Sequence, residues 1–170
     1  MQKHTRISPL VVIFRILFTL GLAAVVAFIF TRSFKDGALS SEESARMLAF
    51  LRKTLQHLTD REITEHFVRK LAHFTEFTVL GGMAQFCLRV YTRHYIRHIS
   101  FPLLFGLMTA LADETIQLRM PGRSSSVIDV WLDFSGVCFG VGCALVVLLI
   151  FHVLGWFILH DDGEVDRYDN

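Results

Sequence analysis

An almost uninterrupted apolar run over residues 10–30 constrains this chain more than any other feature of its sequence. A membrane-spanning helix needs about 20 apolar residues, and Arg15 is the only charged residue among these 21. A cleaved signal peptide is the competing interpretation, because Lys3 and Arg6 precede the run. The run exceeds the usual length of about 7–15 residues, however, and no small-residue cleavage site follows it. We therefore predict an uncleaved membrane anchor.

The composition of the chain supports a membrane protein. Hydrophobic residues make up 52% of the 170 residues and charged residues 19%. With glycine included, the apolar share exceeds the roughly 45–50% of soluble domains. A chain this short has no room for a separate catalytic domain beside several spans, so we predict a single membrane domain over residues 1–170. The net charge of +1 offers no basic field for nucleic acid, and no cysteine pair has zinc-site spacing.

Three more segments are predicted as spans, although each carries ionisable residues near one end. Lys3 and Arg6 precede the first span, and Arg89, Arg93 and Arg97 lie between the second and third. Because short basic flanks face the cytoplasm, we predict a multi-pass protein of the cytoplasmic membrane with both termini inside. The predicted fold is all-α, with transmembrane helices at residues 10–30, 68–90, 99–118 and 127–151 and an acidic cytoplasmic tail at 160–170.

The polar stretch between the first two spans has a helical pattern of its own. Ser40 followed by Glu43 is a capping-box signature, and leucines then recur at helical spacing. This pattern predicts an extracytoplasmic amphipathic helix at residues 41–58. Thr59 and Glu62 repeat the signature, which predicts that the second span begins outside the hydrocarbon.

Ionisable and amide side chains in the last three predicted spans lie at a common depth. Their helical spacing places them on one side of each helix. Spans two and four begin, and span three ends, on the outer side, so we expect these side chains to meet there. Gly136 and Gly140 continue the stripe of span four and predict close contact with another helix. The side chains are Lys70, His73 and Glu76 on span two, Asp113, Glu114 and Gln117 on span three, and Asp129 and Asp133 on span four.

Two explanations account for this concentration of charge. Each ionisable residue in a membrane helix costs about 2.5–3.5 kcal/mol on insertion scales. The first explanation is a structural network of interhelical hydrogen bonds and ion pairs, with Lys70 or Arg123 against an aspartate. The second is a site for a cation, a proton or a cationic substrate, which the excess of acids favours.

The loop between the third and fourth spans contains a Pro121-Gly122 turn, followed by Arg123 and a serine-rich helix start. A guanidinium beside a helix N-terminus suits a phosphate, such as that of a lipid headgroup. Pairing of Arg123 with Asp129 or Glu114 explains the arginine equally well, so both interpretations stay open.

The side chains of this cluster have predicted roles in catalysis, substrate binding and metal binding. A histidine or a carboxylate can act as a general base, and carboxylates with few histidines favour Mg²⁺, Ca²⁺ or Mn²⁺ over zinc. A divalent cation such as Mg²⁺ is therefore the candidate cofactor. The predicted catalytic residues are His73, Glu76, Glu114 and Asp129, the substrate-binding residues are Lys70, Gln117, Arg123 and Asp133, and the metal ligands are Asp113, Glu114, Asp129 and Asp133.

Three motifs, in this order, resemble the VanZ-like family of bacterial integral membrane proteins. They are Arg69-Lys70-Leu71-Ala72-His73-Phe74-Thr75-Glu76-Phe77, Asp113-Glu114-Thr115-Ile116-Gln117, and Pro121-Gly122-Arg123 with Asp129, Asp133 and Gly136. The family is named for a protein associated with resistance to teicoplanin, a glycopeptide that binds cell-wall precursors outside the membrane. The resemblance therefore implies a membrane location and a cell-envelope context, and it supplies no reaction.

Three functions agree with these features. The favoured one is an envelope protein whose outer site binds a membrane lipid headgroup, a lipid-linked cell-wall precursor or a glycopeptide. The second is a membrane-embedded hydrolase or phosphotransferase, in which the carboxylates hold a cation that activates water or a phosphoryl group of a lipid-linked substrate. The third is a proton-coupled transporter, against which four short spans without proline-broken helices or repeats argue.

Overall fold

The computed structural model describes residues 8–35, 37–55, 64–123 and 125–165, without the side chains of 51–55 and 155–165. The described residues form helices and connecting turns, so the all-α prediction is confirmed. Each predicted span and the predicted amphipathic helix corresponds to one helix. These helices are α1 (Pro9–Ser33), α2 (Gly37–Leu55), α3 (Glu65–Tyr91), α4 (Ser100–Gln117) and α5 (Val127–Val165).

Two of the described helices are long and apolar enough to cross a membrane, α1 over Pro9–Ser33 and α5 over Val127–Leu154. The polar residues near one end of α3 and of α4 lower the hydropathy of those two helices. Large apolar side chains nevertheless cover the outer face of α4, where Phe101, Leu104 and Met108 are all exposed. A surface of this kind is typical of a protein in contact with lipid.

The last helix continues beyond the end of the predicted span. α5 continues to Val165, whereas the sequence pattern placed the end of the span at residue 151 and an acidic tail at 160–170. No proline interrupts residues 127–165, and acidic residues are compatible with a helix once it has left the hydrocarbon. Residues 166–170, like Lys3 and Arg6, lie outside the described residues.

α2 begins earlier than predicted, and the capping-box interpretation of Ser40 is wrong. The helix starts at Gly37, whose backbone amide donates to the carbonyl of Pro121 at 3.0 Å. Ser40 therefore lies inside the first turn. There its side chain is buried, and its hydroxyl accepts a hydrogen bond from Arg123.

α3 begins at Glu65, three residues before the predicted span. Thr64 caps it, because the threonine hydroxyl accepts a hydrogen bond from the backbone amide of Phe67 at 3.3 Å. The predicted cap at Thr59 and Glu62 lies outside the described residues, as do residues 56–58 of the predicted amphipathic helix.

The predicted close contact of Gly136 and Gly140 is confirmed, and the helix that they meet is α3. A Cβ atom on Gly136 would lie 2.6 Å from the carbonyl oxygen of Phe74, and one on Gly140 would collide with the carbonyl oxygen of Thr78. The two backbones thus approach as closely as glycine permits. This contact sets the position of α5 along α3.

The buried core lies midway along the bundle, between two ends of different chemistry. We call the end at which α1 and α4 finish and α3 and α5 begin the polar end, and the opposite one the basic end. The connectivity places the predicted cluster of ionisable residues at the polar end. The core side chains are Ile29, Phe77, Leu80, Ala110, Val137 and Val141.

Candidate functional site

Four ionisable side chains from three helices converge at the polar end. They are His73 of α3, Asp113 and Glu114 of α4, and Asp133 of α5. One nitrogen or oxygen atom of each lies within 4.8 Å of the corresponding atoms of the other three. All three acids are buried and His73 is partly buried. We call these residues the His–acid group; their spacing is compatible with shared coordination of one cation.

His73 lies between two of the acids. Its Nδ1 atom is 3.5 Å from Oδ1 of Asp133 and 3.8 Å from Oδ2 of Asp113. The imidazole therefore links α3 to α4 and to α5 at the same depth. Its place follows from the glycine contact, since Gly136 lies one turn of α5 beyond Asp133 and Phe74 follows His73.

Asp113 and Glu114 have hydrogen-bond donors from neighbouring segments. Asp113 accepts from the amide of Gln117 at 2.7 Å and from the hydroxyl of Ser33 in the last turn of α1. Glu114 accepts from the hydroxyl of Ser125 before α5. These donors hold the two carboxylates in place and lower the cost of burying them.

Asp133 differs from the other acids of the group. Its residue exposure is 0%, and the described residues provide a hydrogen bond to neither of its carboxylate oxygens. A buried carboxylate without hydrogen bonds is costly unless it is neutralised or holds a cation. Asp133 is therefore the member of the group that the scaffold explains least.

Asp129 lies outside the His–acid group, although the sequence predicted it as a metal ligand. Its Oδ1 atom is 3.2 Å from Nζ of Lys70, which is the ion pair between spans two and four that the structural explanation required. It also forms a reciprocal cap with Ser126, whose hydroxyl accepts from the amide of Asp129 and donates to its carboxylate. The His–acid group thus contains His73 in place of Asp129, which the sequence predicted as a metal ligand.

Glu76 likewise has a partner that sequence reasoning missed. Its carboxylate is 3.2 Å from Nε of Arg32, in the last turn of α1. The basic residue that ends the apolar run was the available signal, because such a residue can reach an acid on a neighbouring span. Arg32 and Ser33 thus bring the end of α1 to the site.

Arg123 contacts the end of α1 rather than an acid. Its guanidinium donates to the carbonyls of Arg32 at 3.2 Å and Ser33 at 3.1 Å, and to the hydroxyl of Ser40 at 3.4 Å. Partial burial lowers the pKa of Arg123, and the charge of Asp113 opposes this shift. The contacts satisfy carbonyls at the negative end of the α1 dipole. Gly122 has a φ of 72°, as the predicted Pro-Gly turn requires.

A polar cavity of about 590 Å³ lies beside the His–acid group, between α2 and the ends of α1, α3 and α4. His73, Asp113 and Gln117 line one side of it. Among the described residues of its wall, basic side chains outnumber acidic ones by five to three. The basic residues are Arg32, Lys35, Arg46, Arg69 and Arg123, and the acidic ones are Glu43, Glu76 and Asp113.

An apolar groove of about 610 Å³ adjoins the polar cavity and follows the seam between α1 and α3. Phe28, Leu71 and Val79 form part of its wall. Ile29, Val68 and other residues line both spaces, so the two are neighbours along one path. The polar cavity, which charged side chains line, is thus continuous with a groove that suits a hydrocarbon chain.

Comparison with known proteins identifies one relationship. The VanZ/LLP1 family model matches residues 17–152, which include all five helices in whole or in part. Neither the curated proteins nor the solved structures include a match to this chain.

Proposed function

This chain belongs to the VanZ/LLP1 family, and from that premise we propose that it is a cell-envelope membrane protein that binds a phosphorylated lipid in the polar cavity. Lipid-linked cell-wall precursors are the substrate class that combines such a headgroup with a long apolar chain. A glycopeptide-resistance phenotype would then arise through this ligand, because glycopeptides act on the same precursors.

The continuity of the polar cavity with the apolar groove is the observation that carries this proposal. A polar cavity of about 590 Å³ is within the usual size range of ligand sites. Arg32 and Lys35 are paired with glutamates of the wall. The remaining basic side chains, Arg69 and Arg123 among them, suit an anionic headgroup, because guanidinium groups bind phosphate through paired hydrogen bonds. The groove beside it suits a hydrocarbon chain, so an amphipathic anion fits both spaces together.

Arg69 supplies the most direct test of headgroup binding. Its guanidinium lines the polar cavity and donates to the hydroxyl of Ser41, while its Nε atom is buried without a hydrogen-bond acceptor among the described residues. We expect the purified protein to bind a polyprenyl phosphate at least tenfold more tightly than the matching polyprenol. Arg69→Gln should remove most of that preference, whereas Arg97→Gln, in the turn at the basic end, should retain it. Equal affinity for the phosphate and the alcohol would contradict the proposal.

Arg123→Lys tests whether phosphate binding requires a guanidinium group or only a positive charge. The substitution keeps the charge but loses the planar fork that bonds the end of α1 and faces the cavity. We expect weaker polyprenyl phosphate binding. If Arg123→Lys binds like the unaltered protein while Arg123→Ala fails, a point charge suffices and fork-like recognition of phosphate loses its support.

A second candidate function is metal-assisted hydrolysis or phosphoryl transfer on such a lipid. Convergence of the His–acid group and the absence of hydrogen bonds to Asp133 within the described chain favour it. A divalent cation there would act on a headgroup in the adjoining cavity by activating water or stabilising phosphate charge. His73, Glu76, Glu114 and Asp129 remain the candidate catalytic residues, with Mg²⁺ or Mn²⁺ as the candidate ion.

Asp133 and Asp129 form a matched pair for testing the metal. Both are aspartates on α5, but only Asp133 belongs to the His–acid group. We expect Asp133→Asn to weaken Mn²⁺ binding, measured by calorimetry, at least tenfold, and Asp129→Asn to change it little. If the unaltered protein binds no Mn²⁺, or if the two variants lose equal affinity, the proposed ligand set fails.

The same proposal includes a four-span topology with both termini cytoplasmic and α2 at the outer surface. It rests on the arginines of the turn between α3 and α4 and on the apolar outer faces of the helices. In a cysteine-free version, a cysteine at position 42 should react with an impermeant label on intact cells, and one at position 94 should not. The reverse pattern would overturn the orientation.

A further inference from the structure

A third cavity lies at the basic end, far from the His–acid group. Its volume is about 1140 Å³, and residues of α1, α3, α5 and the turn before α4 line it. We call it the arginine cavity. Its wall is apolar over one part, with Phe14, Phe18 and Leu149 among the lining side chains. The polar lining side chains are Arg15, Arg89, Tyr91, Thr92, Arg93, Tyr95 and His152.

Arg15 and Arg89 are oriented by contacts that leave their charge uncompensated. The Nε atom of Arg15 donates to the carbonyl of Val90 at 3.1 Å, and its guanidinium carbon lies 5.1 Å from the ring centroid of Tyr91. Arg89 lies 5.2 Å from the ring centroid of Tyr95. Aromatic rings hold guanidinium groups without neutralising them. Within the described part of the chain, no acidic side chain lines this cavity.

We propose that the arginine cavity binds one anionic phospholipid from the leaflet that faces the basic end. The phosphate would lie among Arg15, Arg89 and Arg93, where guanidinium groups offer paired donors to phosphate oxygens. An acyl chain would lie along the apolar wall at Phe14 and Phe18. Basic pockets between membrane helices are a recognised setting for anionic headgroups, and tyrosines favour the same interfacial depth.

The chemistry of the cavity favours a lipid over free phosphate. Free phosphate would satisfy the arginines but would leave the apolar wall without a partner. A zwitterionic lipid would cover the wall, but its choline group would oppose the arginines. A ligand with both a net negative headgroup and a hydrocarbon chain satisfies both parts of the cavity. This site is independent of the polar cavity, and its failure would leave the function proposed above unaffected.

Native mass spectrometry of the full chain tests the proposal with phosphatidylglycerol, phosphatidylcholine and inorganic phosphate as separate probes. We expect one phosphatidylglycerol to be retained at least tenfold more tightly than phosphatidylcholine. Arg89→Gln and Arg93→Gln should each weaken retention about fivefold, the change that corresponds to about 1 kcal/mol for a basic residue near a membrane surface. Both arginines are exposed, so neither substitution removes a buried contact.

Arg97→Gln is the matched control. Arg97 lies in the same turn and carries the same charge, but it does not line the arginine cavity. We expect retention within twofold of the unaltered protein. Equal losses in all three variants would show general surface attraction and overturn the site. The assignment to a lipid also fails if there is no preference for phosphatidylglycerol, or if inorganic phosphate binds as tightly as the lipid does.

Discussion

The two ends of the bundle hold their cations in different ways. At the polar end, two cations lie against acids of other helices, Lys70 against Asp129 and Arg32 against Glu76, while Arg123 bonds carbonyls of α1. At the basic end, Arg15 lies against a carbonyl and a tyrosine ring. Pairing removes charge and ties helices together, whereas aromatic contacts orient a cation and leave its charge available.

This difference indicates which groups of the polar end are left for a ligand. Lys70, Asp129 and Glu76 each have an ion-pair partner on another helix, so they are less available than Asp133 to hold a cation. Asp133 is fully buried and, among the described residues, is the acid of the His–acid group without a hydrogen bond. A ligand-binding role is therefore best supported for Asp133, whose ionic contact among the described residues is with His73, another member of the same group.

Gly140→Leu should destabilise the packing of α5 against α3 and lower the free energy of unfolding more than the other substitutions do. A side chain there collides with the backbone of α3 at Thr78 and Gly82, and backbone cannot move aside as a side chain can. We expect a loss of about 3 kcal/mol in unfolding free energy, measured by thermal unfolding in detergent. Gly142→Leu is the control, because a Cβ atom at Gly142 has nothing within 4 Å. Equal melting temperatures would mean that the glycine contact does not set the helix spacing.

Glu76→Gln tests whether the ion pair between Arg32 and Glu76 stabilises the polar end. The substitution leaves Arg32 against a neutral amide, while Glu76 is only 14% exposed. We expect a loss of about 1–2 kcal/mol, less than for a fully buried pair because Arg32 is partly exposed. Glu42→Gln breaks the exposed pair with Arg46 and should cost less than about 0.5 kcal/mol. Similar losses of unfolding free energy in Glu76→Gln and Glu42→Gln would mean that the ion pair at the polar end contributes no more than an exposed pair.

Asp133→Asn should change the free energy of unfolding in the opposite direction from Glu76→Gln. In the absence of divalent cations, we expect the free energy of unfolding to hold or to rise by up to about 1 kcal/mol, because the amide keeps a polar group against His73 while a buried charge without hydrogen bonds is removed. Calorimetric melting in a chelating buffer measures the change. If Asp133→Asn destabilises the protein as strongly as Glu76→Gln does, the contact of Asp133 with His73 is structural and the distinction between Asp133 and Glu76 fails.

The pH dependence at Glu43 should be the smallest effect. A hydrogen bond from Lys35 holds the pKa of Glu43 below its usual value. A lowered pKa adds stability at neutral pH that is lost as the pH falls through about 4 and below. The side chain is 41% exposed, so solvent screening keeps this contribution under about 1 kcal/mol. Melting curves of the unaltered protein and Glu43→Gln should converge in acid; a constant difference across the pH range would contradict the assignment.

Much of the fold could be predicted because hydropathy and helical spacing are local properties. The apolar run at residues 10–30 predicted α1, and the spacing of Gly136 and Gly140 predicted close contact with another helix, which the structure identifies as α3. The start of α2 could not be found locally. Its first amide bonds to Pro121, which is distant in sequence, and Ser40 receives Arg123.

The sequence predicted that the side chains of the site lie close together, but it could not predict which of them contact each other. Helical spacing brings Asp129 and Asp133 to one face of α5, and it cannot decide which of them meets His73. The structure separates them, because Lys70 takes Asp129 while Asp133 lies one turn deeper. Arg32 and Ser33 were missed because their role depends on where α1 ends relative to α3 and α4.

α5 is about twice as long as the hydrocarbon core of a bilayer is thick. Its 39 residues give about 58 Å at a rise of about 1.5 Å each, against a hydrocarbon core of about 30 Å. One continuous helix joins Asp133 to Val165 and crosses α3 at Gly140. A tilt of about 5° around that crossing would displace the far end by about 3 Å, given the rise per residue. A small displacement of Asp133 on one side of Gly140 would therefore correspond to a larger displacement of Val165 on the other.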